Sequence, residues 1–309
     1  MSYEKNMLEK LAMPAKQEVK KAIIKTLFTH NGCIKEFTSG ESIVSEIADL
    51  FSLNNEQRKA TLERIYRKEN RIVKTPLWHR LLYRSAEELA KEHYITRPGD
   101  TFTITKKREW LLTEKGIDYA LKLLNLLPAK KESFLIPSAE ILKEIKLIKE
   151  TAYPQDYIPF ETTQKLKISK KIENIRLRSF RQVIIESYEF SCCVCGLKIY
   201  SPNNLSWEVE AAHIVPHSFK GKDDIWNGIA LCHLHHWAFD AGWFSLSNNY
   251  RIVTSSLFNS LPDDFGKNGK FSFFKNSLDF NKMIALPKHN ALRPHENAIK
   301  WHREHIFYQ

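Results

Sequence analysis

Between Ser191 and Gly242 the chain concentrates the side chains best suited to holding metals and moving protons. Cys192-x-x-Cys195 opens the stretch and Cys232-x-x-His235 falls near its end. Two short pairs of soft or borderline donors suit one tetrahedral zinc with every position filled by protein, which makes its role structural. Such a site stabilises a small region with little core of its own. Cys193, inside the first pair, reads as a buried small residue rather than a ligand. A second set is interleaved with the first: Ala-Ala-His213-Ile-Val-Pro-His217, Asn227-Gly228 and His236-x-x-x-Asp240. A structural zinc needs none of these. An imidazole can hold a proton near neutral pH. A histidine and an aspartate at i and i+4 share one helical face. Together they suit a divalent cation whose remaining positions take water or phosphate. These are the parts that hydrolysis of a phosphodiester requires: an activated water, a metal to absorb charge, and cations for the rest.

The elements that would carry these residues follow from local pattern. In SWEVEAAH, Trp207, Val209 and Ala211 alternate with Glu208, Glu210 and Ala212, as in a strand ending at His213. Pro216 forces a turn soon after. A second short strand is expected over 228–231, and a helix opening at His235. The result is a ββα unit, with His213 expected to face that helix. Upstream, KLKISKKIENIRLRSFR runs from Lys165 to Arg181 with one acid, Glu173, and continues as a helix to Tyr188. Alone, such a run is a solvated helix face. Beside phosphodiester chemistry, Lys170, Lys171, Arg176, Arg178 and Arg181 become candidate phosphate contacts.

Ala-Ala-His213-Ile-Val-Pro, Asn227-Gly228 and Leu-His-His236-x-x-x-Asp240-Ala-Gly resemble the restriction-type branch of the HNH, or ββα-metal, nucleases. IRLRSFRQVIIESYEFSC resembles the lead-in helix of that family, and FNKMIALPKHNALRPHENAIKWHREHIF its closing segment, so the likeness covers about 172–307. It implies one catalytic divalent metal (Mg2+, Mn2+, Co2+ or Ni2+) beside the structural Zn2+. It implies His213 as general base, Asn227 as the residue that holds the loop and orients His213, and His236 with Asp240 as metal ligands. One position departs from the pattern: many members carry an acidic or imidazole ligand directly before the base, and here that residue is Ala212. The metal is then left with two protein ligands, unless Glu208 or Glu210 reaches in or the third lies far off in sequence. His217 reads as a phosphate contact or an outer partner, and His233 as a surface histidine.

The N-terminal half has a different pattern. QEVKKAIIKTLF places Val19, Ile23, Ile24 and Leu27 on one helical face, and Asn31-Gly32 stops that helix. Further helices are expected over 41–53 and 77–92, and a hairpin across Pro98-Gly99-Asp100. Three helices followed by a hairpin is the layout of a winged helix. With Trp110-Leu-Leu-Thr-Glu-Lys-Gly116, the stretch 15–125 resembles the winged-helix domain at the N-terminus of Mrr-type restriction enzymes. That resemblance implies a recognition helix near Leu77–Lys91, with Arg80 and Arg84 facing DNA. It also implies a wing in which Arg97 and Lys106–Arg108 grip phosphates.

The expected fold is therefore α+β: a winged-helix DNA-recognition domain (1–125), a Pro-punctuated helical connector (126–170) and a zinc-stapled ββα-metal nuclease domain (171–309). Bulk properties fit. At 309 residues, 43% of them hydrophobic, the chain can build two cores. A net charge of +11 suits a polyanionic partner, here double-stranded DNA. Five cysteines, an odd number with four of them in the motif region, argue for a metal site in a reducing compartment rather than a disulfide framework. With no signal-peptide core and no membrane-length apolar run, the expected location is cytoplasmic. The expected activity is metal-dependent cleavage of DNA, as in a restriction enzyme acting on specific or modified sites in defence against foreign DNA. One metal per chain makes a homodimer the expected route to cutting both strands. Two alternatives stay open: a non-specific nuclease whose winged helix binds protein, and a non-catalytic DNA-binding protein.

Overall fold

The computed structural model describes residues 3–38, 41–66, 71–126, 136–161, 170–201, 206–260 and 276–308. The chain forms two compact units, Met1–Ala129 with Ile136–Lys143, and Lys130–Leu135 with Glu144–Gln309. Among the described residues no helix is long and apolar enough to cross a membrane.

The first unit opens with α1 (Tyr3–Lys10) and α2 (Lys16–Thr29), followed by β1 (Cys33–Lys35), α3 (Ser42–Leu50) and α4 (Asn55–Lys59). The strands β2 (Thr61–Tyr66) and β3 (Arg71–Pro76) pair as an antiparallel hairpin directly ahead of α5 (Leu77–Lys91). Then come β4 (Ile95–Thr96), α6 (Pro98–Thr105), β5 (Glu109–Leu112) and α7 (Glu114–Leu123). The three short strands form one antiparallel sheet in the order β1-β5-β4. Val19, Ile23, Ile24 and Leu27 of α2 and Leu77, Trp78, Leu81, Leu82 and Leu89 of α5 are buried, as their helical spacing requires. Trp110 is buried on the middle strand with Phe37 at 5.8 Å and Tyr83 at 5.6 Å. The run Leu-Thr-Glu-Lys-Gly116 has a mechanical explanation. Thr113 caps α7 by accepting the Gly116 N–H at 3.1 Å. A Cβ on Gly116 would lie 2.0 Å from the Tyr94 carbonyl oxygen, so only glycine fits.

Two expectations fail here. The turn signal Pro98-Gly99-Asp100 does not join two strands; it starts α6. Proline preset at the first helical turn and an acid near the positive end of the helix favour a helix start as much as a turn. Arg97 and Lys106 therefore flank a helix rather than a wing. The hairpin that does exist, β2–β3, lies in the Lys- and Arg-rich stretch, where charge obscured the strand alternation.

The second unit is built on α9 (Lys170–Ser187), which follows α8 (Ala139–Glu150). Its apolar side, Phe180, Val183 and Ile184, is fully buried. Against it lies the antiparallel pair β6 (Val209–His213) and β7 (Gly228–Cys232), in a register that sets Val209 opposite Cys232 and His213 opposite Gly228. The helix α10 (His233–Asp240) follows β7 without a loop. A second hairpin, β8 (Phe244–Leu246) with β9 (Ile252–Thr254), and α11 (Glu296–His305) complete the unit. His302 of α11 is buried, its ring stacked 3.6 Å from Phe239, and burial pushes its pKa down to about 3, so it serves as a neutral core group. Part of the expected connector belongs to this unit. Tyr157 packs on Trp226 and His295, and Phe160 bridges to Gly221 and packs on Trp301.

Candidate active site and metal centre

Cys192, Cys195, Cys232 and His235 bring one donor atom each to within 4.8 Å of one another, and no cysteine is disulfide-bonded. Cys232 ends β7 and His235 sits in the first turn of α10, so the strand–helix junction supplies one pair; the loop after α9 supplies the other. His235 Nδ1 lies 3.0 Å from Cys232 Sγ and 3.6 Å from Cys192 Sγ. Its Nε2 meets the Ser277 hydroxyl at 3.0 Å, the outer partner that a metal-binding imidazole usually has. Hydrogen bonds from Cys195 and Cys232 hold the Cys192 thiol well below its ordinary pKa, in the thiolate form that a metal binds. Three thiol sulfurs and one imidazole are the donor set of a structural zinc. Cys193 is excluded from the cluster: burial raises its thiol, and its backbone ties the knuckle to Ala230 and Ala285.

The second set gathers at the other end of β6. His213, expected to face α10, is stacked on Phe180 of α9, ring centroids 4.3 Å apart. It is nevertheless close enough to Asp240 to lower that carboxyl's pKa, although burial, the largest influence, leaves it raised overall. Burial pulls the His213 imidazole below its ordinary pKa, against the opposing effect of its hydrogen bond to Asp223. Asn227 is completely buried. Its Oδ1 accepts the Val215 N–H at 2.8 Å, and its Nδ2 donates to the Val215 and Lys222 carbonyls at 3.0 Å each. Asn227 thus pins both ends of the loop that leaves His213. Gly228, opposite His213, lies under α9: a Cβ there would come within 2.7 Å of Phe180 and Ile184 side-chain atoms. Replacing Asn227 by Ala should destabilise the protein by roughly 3 kcal/mol, since two buried backbone groups and one part-buried carbonyl lose their bonds. A thermal or denaturant midpoint equal to wild type would refute this.

On α10, His236 Nδ1 meets Glu210 Oε2 at 2.9 Å, while His236 Nε2 is 3.5 Å from Asp240 Oδ2. Burial disfavours the charged ring, but Glu210 and Asp240 outweigh it and the pKa rises. The two carboxylates flank opposite nitrogens of the ring. Glu210 thus lies on the Nδ1 side of His236, away from Asp240, and also meets His233 at 3.3 Å; if Nε2 took a cation, this carboxylate would fix the ring's tautomer. Glu208 is turned to His233, accepting its backbone N–H at 3.1 Å, and His233 stays on the surface. Residues His236 Nε2 and Asp240 would hold a divalent cation on the side that His213 also senses.

The cations divide. Arg181 acts on both His213 and His236, which puts a guanidinium beside the site. Arg176 is exposed, but Arg178 is buried, so its guanidinium is not a surface phosphate contact. Lys170 and Lys171 begin α9; their side chains lie outside the described ones. In the first unit, Arg80 is largely buried and bonds Glu4 at 2.8 Å, Arg84 bonds the same carboxylate at 2.7 Å, and Arg97 bonds Glu87 at 3.0 Å. The expected DNA-facing arginines of α5 are thus committed to carboxylates of their own unit. Asp223 was missed. Its Oδ1 lies 3.0 Å from His213 Nε2 and 2.7 Å from His217 Nε2. The only sequence signal was an acidic doublet, Asp223-Asp224, in a basic stretch between two motif residues.

Two strands and a helix, with a histidine at the strand end, an asparagine closing the loop and a histidine on the helix, define a ββα nuclease unit. The HNH endonuclease family model matches residues 192–247, so this part of the chain is an HNH endonuclease domain. Among solved structures, a modification-dependent TagI restriction endonuclease is similar at 19% identity and a TM-score of 0.30, over 41% of this chain and 37% of that one. No curated protein matches the chain.

Proposed function

We propose that the protein is a metal-dependent DNA endonuclease that combines a DNA-reading module with an HNH cutting domain and serves in defence against foreign DNA. The observation that supports this reading is the HNH match over 192–247, where one ββα unit carries His213 at the end of β6, Asn227 directly before β7, and His236 with Asp240 on α10. A divalent cation at His236 and Asp240 would absorb charge on the phosphate and assist the leaving oxygen. His213 takes a proton from the attacking water, and its depressed pKa keeps it neutral and ready at physiological pH. Arg181 neutralises phosphate charge. Asn227 keeps the loop, and hence the ring, in place. Zn2+ at the cysteine knuckles holds the strand–helix junction.

For the first unit we infer a winged helix. The reading is supported by a three-stranded sheet in which the last strand, β5, lies between β1 and β4, in a unit whose helices include α2, α3 and α5. With Arg80, Arg84 and Arg97 engaged internally, the hairpin β2–β3, in the Lys- and Arg-rich stretch, is a further candidate for phosphate contacts. A homodimer with two such sites would cut both strands. Digestion of methylated and unmethylated plasmid with Mg2+ or Mn2+, followed by sequencing of the ends, tests the reading. Discrete ends are expected for a site-reading enzyme and a smear for a non-specific one. Absence of cleavage with every divalent metal tried would leave a DNA-binding protein instead.

A further inference from the structure

Asp223 is largely covered beside the proposed base and has no part in the scheme above. Its side chain is only 12% exposed, and a single oxygen, Oδ1, faces Nε2 of both His213 and His217. The separations, 3.0 and 2.7 Å, are hydrogen-bond lengths. Burial alone would raise this carboxyl; the two imidazole hydrogen bonds more than reverse that and keep it well below the usual carboxylate range. An ionised carboxylate can only accept. Each facing ring nitrogen must therefore carry the hydrogen. A neutral imidazole with its proton on Nε2 has its lone pair on Nδ1.

We propose that Asp223 is the positioning residue for His213: it fixes the ring by accepting from Nε2–H, so that Nδ1 is the nitrogen that accepts the proton of the attacking water. This rests on the reading of His213 as general base. In that step Nδ1 gains a proton from water and the water oxygen forms a new bond to phosphorus. The bond from phosphorus to the leaving sugar oxygen breaks, and that oxygen keeps the electron pair and is protonated from solvent. Asp223 then faces the imidazolium so formed and compensates its charge, as a carboxylate does behind other catalytic histidines. The groups facing His213 come from three sides: Phe180 and Arg181 on α9, His217 and Asp223 on the loop, and Asp240 on α10. His217, half exposed, shares the carboxylate from the solvent side. The three donor atoms lie within 4.8 Å of one another, a spacing that a divalent ion could also use. His213 would then be spent as a ligand and could not act as the base.

The test uses the full-length, zinc-loaded protein with Mg2+ and plasmid DNA. Asp223→Asn should lower kcat by roughly 10²-fold or more, the scale of a base that loses its orientation. Its KM should stay within about 3-fold of wild type, because binding of the ground state is untouched. The acid limb of its pH profile should move down, since the carboxylate favours the protonated ring. Asp223→Glu should recover part of the rate. Nitrogen NMR of histidine-labelled wild-type protein should place the His213 proton on Nε2, which needs no variant to fold. Three results would overturn the inference: an Asp223→Asn rate within about 3-fold of wild type while His213→Ala is inactive, a wild-type proton on Nδ1, or stoichiometric Mn2+ or Zn2+ binding that perturbs His213 and His217 together. An active His213→Ala would instead remove the reading beneath it.

Discussion

His213→Ala should reduce phosphodiester cleavage by ~10²–10⁴-fold, the usual contribution of a positioned general base. Binding of DNA should be nearly unchanged, because on the proposed reading phosphate attraction would come from Arg181 and its cationic neighbours rather than from a neutral ring. Gel-shift titration and single-turnover cleavage separate the two effects. The pH dependence has a definite sign. A general base works only when deprotonated, and burial against Phe180 holds His213 below its ordinary value. Activity should therefore persist below the ordinary histidine pKa of about 6.5 and fall only at more acid pH. The opposing pull of Asp223 limits that displacement without reversing it. A variant that cuts at the wild-type rate, or a wild-type acid limb centred above the ordinary histidine range, would remove His213 from the mechanism.

The nuclease half was far more legible in sequence than the half before it, for physical reasons. Metal and proton chemistry constrains residue type and spacing together, so Cys192-x-x-Cys195, Cys232-x-x-His235 and His236-x-x-x-Asp240 could be sorted into two sets before any fold was known. The strand alternation that ends at His213 and the helix after Cys232 followed from the same stretch. What spacing could not supply was the direction of long side chains. Glu210 shares a strand face with Ala212, and the alternation permitted either ligand or bystander; only the pairing with His236 Nδ1 gives it the role of holding the ring. Asp223 was invisible because its partners, His213 and His217, are reached through loop geometry set by Asn227 rather than by periodicity. In the first unit, apolar periodicity located α2 and α5. Pro98-Gly99-Asp100 misled because turns and helix starts favour the same residues. Counting cations on α5 also could not reveal their partners: Glu4, distant in sequence, engages both Arg80 and Arg84.

Stripping zinc should abolish cleavage even with Mg2+ in excess, and only zinc should restore it. The argument rests on where the cluster sits. Cys232 is the last residue of β7 and the N-cap of α10, and His235 lies one residue before His236. The same four donors that bind zinc therefore fix the start of the helix that carries His236 and Asp240. Asp240 lies at the last turn of a helix only eight residues long, too short to hold its shape unaided. Structural zinc sites contribute about 10–16 kcal/mol of apparent binding energy, against a typical domain stability of about 5–15 kcal/mol. The apolar contacts of Phe180, Ile184 and Phe244 would remain, so chelation should leave a collapsed unit with the knuckle and α10 released. Cys192→Ser should behave alike: it replaces the sulfur held as a thiolate by a hydroxyl that does not ionise near neutral pH. Metal analysis should find one zinc per chain before chelation. Near-ultraviolet circular dichroism should lose intensity on its removal, since Trp237 and Phe239 lie on α10. A metal-free protein with an unchanged unfolding midpoint and full Mg2+-dependent cleavage would show that the cysteines hold nothing the fold requires.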